Sequence, residues 1–197
     1  LQALDLVVKH RVLPLKTYLA GGTAAALHLG HRYSYDLDFF TSRRFEAGKV
    51  AKNFKSIPGY KLEKTVSQTV LGYIGSIQTT LFFYQYPLLF PAQGFRGAAV
   101  ADLRDIAAMK IAAVSDRGVK RDFIDLYFII REGGIDLQDC LRFYGEKFGV
   151  LDINRLHILK SLTYFEDAEK QKMPRMIKNV SWPSVKKFFE SEAGHLI

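Results

Sequence analysis

Tyr18-Leu19-Ala20-Gly21-Gly22-Thr23-Ala24, followed by His31-Arg32-Tyr33-Ser34-Tyr35-Asp36-Leu37-Asp38-Phe39-Phe40, decides how this chain reads. Thr17 to Ala20 form a short apolar run stopped by two glycines, which marks a buried strand ending in a turn. Thr23 is placed to cap a following helix of Ala and Leu, over roughly residues 24–30. Asp36 to Phe40 alternate polar and apolar with a period of two, so they form a strand. Asp36 and Asp38 then share one face, their Cα atoms roughly 6–7 Å apart, while Leu37 and Phe39 point into a core. Two like charges side by side are unfavourable unless a cation joins them. Mg²⁺ takes hard oxygen ligands, commonly one or two carboxylates plus substrate phosphates, and Mn²⁺ suits the same donors. The alternative is a solvated strand end, because an isolated Asp-x-Asp is a common pattern.

The glycines add to the pair. Gly21 and Gly22 let a backbone approach a phosphate closely, and a helix start offers unpaired N–H groups to an anion. Thr23 adds a hydroxyl. The alternative is a Gly-Gly turn with a Thr cap and no ligand. The segment is not a P-loop, since no Lys follows the glycines.

Outward from this core, residues 2–12 read as a helix that ends before Pro14. Residues 46–57 form an amphipathic helix with Val50, Phe54 and Ile57 as its apolar stripe and Lys49, Lys52 and Lys55 elsewhere. Strand-like runs follow at about 60–66, 68–74 and 76–86, with Gly75-Ser76 as a hairpin turn. Residues 87–97 read as a loop and Ala98-Ala99-Val100 as one more short strand. From Asp102 the pattern is helical, with further helices near 120–131, 136–148, 152–169 and 182–192. The expected organisation is an α/β core over 1–101 and a helical domain over 102–197.

The chain has 197 residues and 48% hydrophobic residues, enough for one core with a helical annex. Its single cysteine, Cys140, excludes an internal disulfide framework and fits a reducing, cytoplasmic setting. No apolar run approaches the roughly 20 residues of a membrane span, and no membrane association is expected. Asp5, Lys9, His10 and Arg11 do not suit a signal peptide. Lys and Arg number 28 against 20 acids, a net charge of +8 that points to polyanionic partners: nucleic acid, nucleotides or an acidic protein. From Arg43 to Lys64 there are seven basic residues and two acids, and no acid occurs from Lys64 to Ala101.

The quoted segments resemble the AbiEii/AbiGii toxin family, the nucleotidyltransferase-like toxins of type IV toxin–antitoxin and phage-abortive systems. Asp105 to Lys110, followed by Arg121-Asp122-Phe123-Ile124-Asp125-Leu126-Tyr127, are similar to that family's helical Lys and its RDxxDLY element. The resemblance runs from about Tyr18 to Tyr127. It implies a nucleotidyltransferase fold, a small mixed twisted sheet flanked by helices and followed by a helical region. It also implies transfer of a nucleotidyl group from an NTP, with Mg²⁺ or Mn²⁺, to an acceptor such as tRNA or another RNA, and an antitoxin as a partner. On these positions Asp36 and Asp38 would hold the metal and act in catalysis with Lys110 and Asp122. The nucleotide would meet Gly21, Gly22, Thr23, Arg32, Ser34, Lys110 and Asp125.

The residues themselves leave choices open. Lys110 lies within the stripe Leu103, Ile106, Ala107, Val114, so it either snorkels outward or meets an anion. On the next helix Phe123, Leu126, Tyr127 and Ile130 form the apolar stripe. Asp122 flanks it and Asp125 lies further round, making Asp122 the better candidate to face a site. Asp122 would also suit a helix N-terminus for dipole reasons alone. His31 and Arg32 form a turn that packs or binds phosphate, or His31 is catalytic. Cys140 reads as inert. His157 and His195 lack zinc-ligand spacing. The basic stretch from Lys160 to Lys187, with Tyr164 and Trp182, is either a nucleic-acid track or a solvated face over core aromatics.

Many nucleotidyltransferases carry a third carboxylate on a later strand. Here Ser76 to Tyr84 has none, and Gln78 and Thr80 are its polar members. Either a helical Asp takes that role or the role is absent. In the latter case the chain is a nucleotide- or RNA-binding relic. A protein hydroxyl is another acceptor open to such a site.

Overall fold

The computed structural model describes residues 1–149 and 151–196; for 151–154 the backbone alone is described. The chain divides into two compact units, residues 1–23 with 35–102, and residues 24–34 with 103–197.

In the first unit, α1 (Gln2–Lys9) buries Ala3, Leu4 and Val7. It stops short of the expected Val12 because Arg11 takes a left-handed φ of 50°, a conformation that cannot continue a helix. β1 (Thr17–Ala20) follows, and α2 (Gly21–Leu29) starts directly at Gly21. Thr23 therefore lies inside the first turn of α2 and is not its cap. β2 (Leu37–Thr41) alternates buried Leu37, Phe39 and Thr41 with half-buried Asp38 and Phe40, as the period of two requires. α3 (Ala47–Phe54) lays Val50, Ala51 and Phe54 on β3 (Tyr60–Val66) and β4 (Thr69–Ile74). β5 (Ile77–Phe83) completes a hairpin with β4 across Gly75-Ser76.

Residues 87–97 are not all loop. Gln93–Phe95 form β6, paired antiparallel with β7 (Ala98–Val100). The connection is Arg96-Gly97, both at positive φ, the mirror-image turn that matches strand twist. Arg at the first position hid this hairpin from the sequence pattern.

The seven strands form one sheet in the order β3-β4-β5-β2-β1-β7-β6. β2 pairs antiparallel with β1 and parallel with β5, so the sheet is mixed. Register fixes what shares a face. One row reads Ala20, Asp38, Thr80, Leu71, and the next reads Tyr18, Phe40, Phe82, Thr69. Leu37, Phe39, Leu81, Val70 and Ile74 occupy the opposite, buried face.

The second unit is helical. α4 (Leu103–Arg117) packs against α5 (Lys120–Glu132), α6 (Leu137–Phe148) and α7 (Leu151–Leu162). Asp136 caps α6 by accepting from the Asp139 N–H at 2.7 Å. The expected helix over 152–169 is broken: α7 ends at Leu162 and a single turn, α8 (Glu166–Glu169), follows. The break lets Phe165 pack against Phe123 and Trp182, at ring distances of 5.2 and 5.8 Å. α9 (Trp182–Gly194) is capped by Ser181 and buries Trp182, Val185 and Phe189. Of the C-terminal aromatics, Trp182 and Phe189 are core, whereas Tyr164 is exposed.

Two glycines should respond oppositely to alanine. At Gly72 a Cβ would collide with the Tyr60 ring and lie 2.7 Å from the Lys61 carbonyl. At Gly48, exposed in α3, it would meet nothing within 4 Å. Gly72→Ala should lose about 1–3 kcal/mol of stability, and Gly48→Ala should gain about 0.5–1 kcal/mol. Urea denaturation of both variants checks this.

Candidate active site

In the first unit, β1 ends on Ala20 beside Asp38, and α2 begins at the next residue. Gly21 has a φ of 69°, left-handed backbone in which a side chain is strained. A Cβ there would lie 3.2 Å from Asp38 Oδ2, so the carboxylate sits against the bare backbone of the helix start. The first N–H groups of α2 have no intrahelical acceptor. The Thr23 hydroxyl donates to the Asp36 carbonyl oxygen, which ties the helix start to the entry of β2. Asp36, half-buried, immediately precedes β2, and Asp38 lies within it.

On the same face the Tyr73 hydroxyl, on β4, is hydrogen-bonded to Glu63. That bond and the Glu63 charge raise the Tyr73 phenol above its ordinary range, with a smaller contribution from Asp36. Thr80 is the register partner of Asp38 on β5. Its hydroxyl is buried and has no hydrogen-bond partner among the described residues. Two carboxylates, a bare backbone and a spare hydroxyl suit a hard cation with phosphate oxygens. Among the described residues no group of three or more His, Cys, Asp or Glu side chains could hold a metal ion.

The second unit gathers the other expected residues into a buried charge network. Lys110, 4% exposed, does not snorkel. Its Nζ lies 2.6 Å from Asp122 Oδ1 and 2.6 Å from Asp125 Oδ2. Asp125 is fully buried and accepts three further bonds. Arg32 Nε donates at 2.6 Å, Arg32 Nη2 at 2.8 Å and His31 Nε2 at 2.8 Å. Arg117 Nε donates to Asp122 Oδ2 at 2.8 Å. Burial opposes ionisation of Asp125, but Lys110, Arg32 and His31 outweigh it and hold the carboxyl far below the usual carboxylate range. Asp122 is likewise lowered, with Lys110 and Arg117 overcoming its burial.

Asp125, further round α5 than Asp122, is no less buried. It is buried with Asp122, because the packed face of α5 also takes in Ile124, Phe128 and Ile129. His31 is buried against Phe128 at 5.0 Å, and Arg32 is buried with it. Ser34 is half-buried between exposed Tyr33 and Tyr35.

Several partners were illegible in the sequence. Asp105 is fully buried against Lys147 at 2.7 Å. His31 and Asp125 lie 94 positions apart, and no local spacing signals their bond. Cys140 is buried, and its thiol is pushed up by burial and by nearby Asp136 and Asp139.

The family model described as nucleotidyl transferase AbiEii toxin, type IV TA system, matches residues 5–100 and 84–192. The chain belongs to this family and is a nucleotidyltransferase. It is 34% identical over 179 residues to an uncharacterized protein of Aquifex aeolicus (strain VF5), covering 88% of this chain and 84% of that one. Among solved structures, it resembles MenT4, a nucleotidyltransferase toxin of Mycobacterium tuberculosis H37Rv, with a TM-score of 0.60 and 18% identity. That match covers 98% of this chain and 83% of MenT4. The antibiotic-resistance factor ANT(2'')-Ia matches with a TM-score of 0.52 and 13% identity, over 80% of this chain and 100% of that one. These likenesses show the nucleotidyltransferase fold. Among the described residues no helix is long and apolar enough to cross a membrane.

Because the Asp125 carboxyl is depressed in the folded state, its stabilisation is complete above the unfolded value near 4 and is lost as pH falls below it. Asp125→Asn, which leaves Arg32 buried without its carboxylate, should lose roughly 3–5 kcal/mol at pH 7. It should also show a weaker acid dependence than wild type. Urea midpoints measured from pH 7 to pH 3 check both.

Proposed function

We propose that the chain binds an NTP with Mg²⁺ or Mn²⁺ at Asp36 and Asp38 and transfers its nucleotidyl group to an acceptor, an RNA such as tRNA. The observation that carries this is the Asp38 carboxylate lying against the bare Gly21 backbone where α2 begins. A carboxylate that holds a cation and a helix start that holds phosphates are thereby adjacent. Asp36 and Asp38 would be the metal ligands. The N–H groups of Gly21, Gly22 and Thr23 would meet the phosphate oxygens. When bound, the cation supplies charge neutralisation at phosphorus. The protein's own contribution is positioning: the acceptor hydroxyl attacks the α-phosphorus and pyrophosphate leaves in line.

For Lys110, Asp122, Asp125 and Arg32 the supported role is also positioning. The Lys110 ammonium is shared by two buried carboxylates, so a triphosphate would have to compete with both. His31 and Arg32 belong to the segment that leads into Asp36, and their bonds to Asp125 hold that segment. We assign the protein to the cytoplasm, which its single, buried cysteine suits. An acidic antitoxin is the protein partner that the net charge of +8 favours.

A second reading, nucleotide or RNA binding without turnover, is favoured by one observation: β5 carries Thr80 and no carboxylate. Incubation with each α-labelled NTP and total RNA separates the two. Wild type should label RNA with at least one NTP, and Asp38→Ala should reduce labelling by at least about 100-fold. Gly21→Ala, which crowds Asp38, should reduce it about tenfold or more at unchanged fold by circular dichroism. NTP binding with no label in any acceptor would establish the second reading, and label in protein alone would move the acceptor to a protein hydroxyl.

A further inference from the structure

The hydroxyl of Thr80 is a buried polar group on the active-site face that the proposed chemistry leaves unused. The strand pairing of β2 with β5 is parallel and aligns Asp38 with Thr80, so the two side chains leave the sheet on one face. Leu71 of β4 and Ala20 of β1 continue the row on either side and offer no side-chain hydrogen-bonding group. Thr80 is 2% exposed, and its Oγ1 has no hydrogen-bond partner among the described residues. Its neighbour Thr79, on the opposite face, does find one, the Ile77 carbonyl at 3.4 Å. Buried polar groups in folded proteins are nearly always satisfied, and an orphan points to a missing water, ion or ligand. An apolar Val would fill the same space without that unmet demand.

We propose that Thr80 supplies the third, uncharged oxygen of the cation site whose charged oxygens are Asp36 and Asp38. This rests on the assignment of the cation to that pair. The consequence concerns order and strength of binding. Cation affinity follows the number of charged ligands. With two carboxylates and one neutral hydroxyl the protein alone holds a divalent cation weakly. Uptake depends on the nucleotide, whose phosphates supply the remaining negative oxygens. The hydroxyl then gains the partner that it lacks in the free protein.

Mn²⁺ binding, followed by the electron paramagnetic resonance signal of the free ion and by calorimetry, tests this with and without a non-hydrolysable NTP. Wild type should bind Mn²⁺ weakly alone and at least about tenfold more tightly with the nucleotide. Thr80→Asp adds a charged oxygen and should tighten binding by the protein alone at least about tenfold. Thr80→Val should weaken Mn²⁺ binding in the nucleotide complex about three- to tenfold, and Thr80→Ser should match wild type. Tight binding by the wild-type protein alone overturns the proposal, as does a Thr80→Val variant that binds like wild type or a Thr80→Asp variant with no gain. Asp38→Asn separates the two levels. If it abolishes Mn²⁺ binding while the Thr80 variants change nothing, the Thr80 assignment alone falls. If it changes nothing either, the cation is not at this pair and both fall. A Thr80→Asp variant that melts as wild type and still shows no gain counts against the proposal, so misfolding is not a refuge.

Discussion

The buried carboxylate of Asp125 is the constraint on which the second unit depends. A charge with no exposed surface is tolerable only when cations and hydrogen-bond donors surround it. Lys110 comes from α4, Arg32 and His31 from the segment after α2, and Asp125 itself from α5. One side chain therefore fixes three pieces of chain against each other. The same segment is gripped from outside. The Tyr33 N–H donates to the Arg175 carbonyl, and the Ile177 and Lys178 N–H groups donate to the His31 carbonyl, at 2.9 to 3.0 Å. Arg175 also lies over the Tyr33 ring at 4.3 Å. Residues 31–33 are thus held by both side-chain and backbone bonds.

The first unit solves a different problem. It presents acidic side chains on a sheet without burying them unpaired. Alternation along β2 puts Leu37 and Phe39 in the core and leaves Asp38 half-buried on the other face. The break from β1 to α2 at Gly21 brings peptide N–H groups beside that carboxylate. A side chain at Gly21 would be strained by its φ and would crowd Asp38, so glycine is needed here on both counts. A helix start beside the Asp38 carboxylate sets peptide N–H groups, which attract anions, next to an oxygen donor of the kind that attracts hard cations.

The charged residues of the two units differ in what they can do. Asp36 and Asp38 are half-buried on the sheet side of the first unit. Asp122 and Asp125 are already paired with Lys110, Arg117 and Arg32. A lysine on an apolar helix face invites assignment to a phosphate, but partners from another helix can absorb its charge completely. The distinction matters for every residue carried over by resemblance: matching a motif places it in the fold, not in contact with substrate.

The sequence by itself determined the alternation of strand and helix, the Gly-Gly break before the strand that carries Asp38, and the family. These are legible because they rest on local chemistry: periods of 2 and 3.6, and the freedom of glycine. The sequence also marked the C-terminal aromatics as candidate core, which Trp182 and Phe189 are. Only the tertiary structure decided where Thr80 lies, because register between β2 and β5 joins residues some forty positions apart. It alone decided that Asp125 meets Lys110, Arg32 and His31 at once, and that Asp105 and Lys147 form a buried pair. Those outcomes depend on which faces of different helices meet. A charge shows in a sequence, but its neutralisation is a property of the packed chain.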